Sequence, residues 1–147
     1  MSDVEYIIET TDLSKSYGPH LALENLNLKI RKGATGLLGP NGAGKSTFLK
    51  TILGLIQATS GHGTVLGHDI RTEGAAIRSR IGYMPEYDAL NPDMEAIHQV
   101  KYSGELLGMN PIVAMSRAHE VLQYVGLGEQ RYRNIGSFST GMKQATK

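Results

Sequence analysis

The segment that most constrains this chain is Gly39-Pro40-Asn41-Gly42-Ala43-Gly44-Lys45-Ser46. It fits G-x-x-x-x-G-K-[ST] in every specified position, and each residue type has a mechanical reason. Glycines let the backbone curl so that successive N–H groups face one anion, and a helix starting near Lys45 adds the positive end of its dipole. Lys45 brings a full charge to the β- and γ-phosphates of a nucleotide. The Ser46 hydroxyl suits the Mg²⁺ that bridges those phosphates, and Thr47 adds backbone and hydroxyl contacts. A glycine-rich turn without chemical meaning is the competing explanation. The flanks argue against it: Thr35-Gly36-Leu37-Leu38 has the character of a buried strand, and Phe48, Leu49, Ile52, Leu53 and Ile56 recur at helical spacing until Thr59-Ser60-Gly61.

Around this loop the pattern is mixed α/β. Tyr6-Ile7-Ile8 is β-prone, and Leu21 to Ile30 alternates Leu26, Leu28 and Ile30 with polar residues, so the opening reads as antiparallel strands. Thr64-Val65-Leu66 and Ile81-Gly82-Tyr83-Met84 read as further strands, the second ended by Pro85. Beyond Asn91-Pro92-Asp93 the composition turns helical, with segments expected at about 94–107 and 113–125, split by Asn110-Pro111. Asp93 suits the N-cap of the first, while Asp88 and Glu95 flank the same loop. This layout divides the chain into an α/β core over 1–86 and a helical subdomain over 87–147.

Composition excludes more than it selects. With 147 residues the chain has the size of one domain. A net charge of +1, from 15 Lys and Arg against 14 Asp and Glu, offers no basic field for nucleic acid. The absence of cysteine removes disulfides and thiolate chemistry and fits a reducing cytosol. The opening residues lack the pattern of a secretory leader. No apolar stretch approaches the roughly 20 residues of a membrane helix, so any membrane role is expected to be peripheral. His20, His62, His68, His98 and His119 show no metal-ligand spacing.

Four segments together resemble the ATP-binding cassette (ABC) ATPases. Leu37 to Thr47 is similar to that family's Walker A loop. Tyr17-Gly18 resembles the start of its aromatic A-loop, which implies that Tyr17 stacks on adenine. Ile81 to Glu86 resembles the Q-loop, with Glu86 where many members carry glutamine. The resemblance makes Glu86 a supporting group near the Mg²⁺ shell, and glutamate there marks exporter-like members. Phe138-Ser139-Thr140-Gly141-Met142-Lys143-Gln144 is similar to the signature loop LSGGQ, with Thr140 and Met142 in place of the commoner glycine and glutamine. Ser139 and Gly141 are then implied to hold the ATP of an opposite cassette, although the bare string alone favours a generic helix N-cap over that role. The interval between Glu86 and Ser139 suits two or three helices and not a long coiled-coil insertion.

The family resemblance implies a P-loop NTPase core with N-terminal antiparallel strands and a helical subdomain, incomplete at the C-terminus. It also implies ATP and Mg²⁺ as cofactors and a second cassette and a transmembrane permease as partners, with no nucleic acid. The expected place is the cytoplasmic face of a membrane. The cofactor-binding set is Tyr17, Gly39, Pro40, Asn41, Gly42, Ala43, Gly44, Lys45, Ser46, Thr47, Ser139 and Gly141, with Ser46 and Glu86 toward the metal and Lys45 and Glu86 supporting catalysis. The implied function is to couple ATP binding and hydrolysis to transport. The alternative is an inactive nucleotide-binding or regulatory fragment that pairs with an intact cassette.

No aliphatic run ending in Asp-Glu occurs in these residues. That family element supplies the Mg²⁺-supporting aspartate and the water-polarising glutamate. The strand expected at Thr35–Leu38 consequently lacks its central neighbour, and poor solubility is expected of the isolated chain. Purified chain should hydrolyse ATP slowly or not at all; robust metal-dependent turnover that disappears in Lys45→Ala would contradict this.

Overall fold

The hairpin that opens the chain determines where the phosphate-loop segment sits. In the computed structural model, which describes residues 6–85 and 89–147, strand β1 (Ile8–Tyr17) turns through Gly18-Pro19 into antiparallel β2 (His20–Ile30). Strand β3 (Ser60–Val65) pairs with the other edge of β1, and the short β4 (His68–Asp69) completes the order β2-β1-β3-β4. Simple alternation along β1 is interrupted at Asp12, whose φ of 50° marks an irregularity in the register with both neighbours. Leu13 is thereby fully buried and Ser14 buried beside it. The polar cost of this distortion is met locally. Asp12 N donates to Asn27 Oδ1 at 3.0 Å, Asn27 Nδ2 donates to Asp12 Oδ1 at 2.9 Å, and Asn25 N donates to Ser14 Oγ at 2.9 Å.

Helix α1 (Lys45–Ile52) lies on this sheet and buries Phe48 and Ile52 with Leu13, Leu23, Val65, Ile70 and Ile77. Leu26, Leu28 and Ile30 pack half-buried against the same cluster, as their alternation predicts. Leu49, one of the apolar residues at helical spacing, is exposed instead. The helix also ends earlier than the Thr59-Ser60-Gly61 stop. Gly54, at φ 64°, donates to Thr51 O at 3.0 Å, and Leu55 N donates to Lys50 O at 2.9 Å. This is a Schellman closure, for which a left-handed glycine is the cheapest residue. Arg78, in the short helix α2 (Gly74–Arg78), adds a donor to Leu53 O at 3.0 Å and so satisfies another carbonyl of that end.

The strands expected at Thr35–Leu38 and Ile81–Met84 do not form: 34–40 and 81–85 carry no regular structure. A strand needs a hydrogen-bonding neighbour, and the described sheet places none beside either segment. Leu38 is 97% exposed as a result.

The chain clusters into two compact units that divide between Gly82 and Tyr83. The second consists of α3 (Ala96–Leu106), α4 (Pro111–Tyr124), two 3₁₀ turns (Gly128–Tyr132 and Ile135–Ser137) and α5 (Thr140–Thr146). Its core joins Ala96, Ile97, Ala118, Leu122, Leu127, Ile135 and Phe138. Asn110-Pro111 starts α4 and does not merely precede it: Asn110 Oδ1 accepts from Ile112 N at 3.0 Å, and Pro111 occupies the first turn, where a missing N–H costs nothing. Asp93 does not cap α3. Glu95 holds the N-cap position without a side-chain cap bond, and the Asp93 amide donates instead to Asn91 Oδ1 at 3.0 Å. Asp88 lies outside the described residues.

The turn from β4 into α2 is fixed by two carboxylates. Asp69 Oδ1 accepts from Arg71 N at 2.7 Å and Thr72 N at 3.0 Å, and these two amides hold its carboxyl below the ordinary aspartate range. Glu73 is lowered too, first by His68 Nδ1 at 3.0 Å and then by the Asp69 amide at 2.8 Å. A depressed folded-state pKa contributes stability above the unfolded value, lost as pH falls through the folded one. Carboxyl NMR titration should therefore place both groups below their ordinary ranges, and Asp69→Asn should abolish Asp69's share of the acid-side loss. Titration at ordinary values would mean that this turn is not held in solution.

Candidate functional site

The phosphate-loop residues Gly39 to Thr47 occupy an exposed turn and the first turn of α1. Ala43 N donates to Pro40 O at 3.2 Å, closing a turn with Asn41 and Gly42 at its centre, and Gly42 has φ 84°. Gly44 is the N-cap of α1 at φ 85° and makes no side-chain cap bond. A Cβ here would strike the carbonyl oxygen of Ala22 and stand 2.9 Å from Leu23 Cδ2. Only glycine permits both the left-handed turn and this approach to β2.

Lys45 Nζ lies over the loop and donates to Gly39 O and Pro40 O, each at 2.7 Å. The amides of Lys45, Ser46 and Thr47 belong to the first helical turn, where no carbonyl one turn back can accept them. The Ser46 side chain is exposed beside them. A cation, helix-end amides and an exposed hydroxyl are thus adjacent along a glycine-rich loop. That donor set fits a polyanion of phosphate type.

Tyr17 lies in the same unit, at the end of β1 and opposite His20, with 47% of its surface exposed. Lys15 Nζ sits 5.1 Å from its ring centroid. Sequence reasoning did not single out Lys15, although the two-residue strand spacing was the available signal. Ser139 and Gly141 belong to the other unit. Ser139 caps α5, its Oγ accepting from Met142 N at 3.3 Å, so the capping role is present in the fold. Gly141 is exposed in the first turn of α5, and a Cβ there would meet nothing within 4 Å. Glu86 lies outside the described residues, but the segment before it is tied to α5 through Gln144 Nε2, 2.8 Å from Met84 Sδ.

The model of the ABC transporter family matches residues 23–147. The chain belongs to the ABC transporter family. Its relatives include the linearmycin resistance ATP-binding protein LnrL of Bacillus subtilis (strain 168), 39% identical over 139 residues, which covers 94% of this chain and 45% of that protein. The bacitracin transport ATP-binding protein BcrA of Bacillus licheniformis is 36% identical over 139 residues, covering 94% and 44%. The ABC chain thus spans less than half the length of these relatives. Among solved structures, cbiO1 from Clostridium perfringens, part of the ABC transporter complex cbiONQ, superposes with a TM-score of 0.81 at 23% identity. The match covers 97% of this chain and 59% of that one, which establishes the α/β fold of an ABC ATPase domain.

Gly44→Ala removes no functional group yet forces a Cβ against β2 in a left-handed backbone. It should lower the stability of the first unit by at least about 1–2 kcal/mol. Urea unfolding read out in that unit checks this, and an unchanged midpoint would mean the loop does not pack on β2 in this way.

Proposed function

We propose that this chain is the nucleotide-holding part of an exporter-type ABC ATP-binding subunit, which couples ATP binding and hydrolysis to transport across a membrane. The observation that carries this reading is the loop at Gly39–Thr47, where Lys45 Nζ is held on the Gly39 and Pro40 carbonyls beside a helix start whose first amides have no intrahelical acceptor. Gly39, Pro40, Asn41, Gly42, Ala43 and Gly44 provide the backbone cradle, Lys45 the charge for the outer phosphates, and Thr47 further contacts. Ser46 is the hydroxyl suited to Mg²⁺, and Glu86 is assigned beside it. Bound Mg²⁺ would neutralise phosphate charge. Tyr17 offers an exposed ring for adenine.

Ser139 and Gly141 are assigned to the ATP of a second cassette. Gly141 supports this, because glycine is a poorer helix former than alanine and no neighbour in this fold requires it. A group from outside the chain that approaches the first turn of α5 supplies the missing reason. The permease partner and a position at the cytoplasmic face of a membrane follow from the same reading. The relatives named for antibiotic resistance and transport favour export. No described helix is long and apolar enough to cross a membrane.

Lys45→Ala should weaken binding of Mg-ATP by about tenfold to a hundredfold, the loss of one charge-assisted contact. Equilibrium dialysis against the full chain measures this, and equal affinity for both proteins would refute the assignment. Ser139→Asp keeps an N-cap residue but sets a carboxylate against phosphate. It should leave the melting temperature nearly unchanged and abolish ATP-dependent pairing with an intact cassette in sedimentation, and undiminished pairing would remove Ser139 from the site.

A further inference from the structure

We propose that Asn41 is a site of intramolecular deamidation and that nucleotide bound at the loop protects it. The chain has six asparagines, and their surroundings separate one from the rest. Asn91 and Asn110 precede proline, which has no N–H to act as nucleophile. Their side chains are also engaged, Asn91 Oδ1 by Asp93 N and Asn110 Oδ1 by Ile112 N, both at 3.0 Å. Asn25 and Asn27 precede leucine and are held by Ser14 and Asp12, and Asn134 precedes isoleucine. Asn41 alone precedes glycine, and its side chain makes no hydrogen bond among the described residues.

The local backbone leaves the reacting amide open. Asn41 and Gly42 are both exposed at the centre of the Pro40–Ala43 turn, whose closing bond uses the Ala43 amide and leaves the Gly42 amide unused. No Cβ shields the Gly42 nitrogen. That nitrogen gives up its proton and bonds to Asn41 Cγ, the Cγ–Nδ2 bond breaks, and the amide leaves as ammonia with the proton. Water then opens the five-membered imide at either carbonyl, giving aspartate or its β-linked isomer. The net change is one water consumed and one ammonia released, with no oxidant or reductant.

Both products disable the cradle. A carboxylate appears next to Pro40, whose carbonyl oxygen already holds Lys45 Nζ at 2.7 Å, so it competes with phosphate for that cation. The β-linked form also inserts an extra backbone atom among the amides. Protection rests on the phosphate-binding reading given above: an anion that occupies the loop amides disfavours the negative charge developing on the Gly42 nitrogen.

The test is peptide mapping by mass spectrometry of the full chain aged at mildly alkaline pH, with an isoaspartate-specific methyltransferase as second readout. Conversion is expected at residue 41 at least about tenfold faster than at any other asparagine, absent in Asn41→Gln, and slowed by Mg-ATP. Asn41→Asp should weaken Mg-ATP binding by about tenfold or more. An intact Asn41 after the other asparagines begin to convert overturns the proposal. Conversion that Mg-ATP does not slow, in a chain shown by dialysis to bind it, overturns the protection. Conversion in a chain that binds no nucleotide counts against the functional reading and leaves the modification standing.

Discussion

The contact on which the first unit depends is the approach of the Gly44 backbone to Ala22 and Leu23. It joins the end of the phosphate loop to the first part of β2 and thereby sets where α1 begins. From that point Phe48 and Ile52 fall into the cluster built on Leu13, while the first-turn amides stay at the surface. One missing Cβ therefore serves both the packing of α1 and the exposure of those amides. Because the backbone at Gly44 is left-handed, no other residue makes this junction without strain.

The second constraint is satisfaction of backbone polar groups. Where the chain departs from regular pairing, as at Asp12, the side chains of Asn27 and Ser14 accept the backbone N–H groups of Asp12 and Asn25. Where α1 ends, Gly54 and Arg78 do the same for its carbonyls. The apolar runs at 35–38 and 81–84 have no such partner in the described sheet and stay irregular, which is why Leu38 faces solvent. Hydrophobic character alone does not make a strand.

The site places opposite demands on its loops. A cradle that presents bare amides to an anion must be glycine-rich and open, and the same openness leaves the Asn41–Gly42 bond chemically exposed. At α5 the logic recurs in another form: Ser139 completes the helix end in the ordinary way, whereas Gly141 answers no need of its own fold. Both features belong to a chain of the ABC transporter family.

The sequence by itself determined the phosphate loop, the helix after it, the alternation of β2 and the two helical segments of the second unit. All are set by residues close along the chain: glycine permissiveness, helical spacing, and the Asn110-Pro111 start of α4. Tertiary structure decided the rest. It buried Leu13 through an irregular strand, exposed Leu49, moved the start of α3 away from Asp93 to Glu95, and left two apolar runs unpaired. Those outcomes depend on which distant segments are available as hydrogen-bond and packing partners, information that no local window of residues contains.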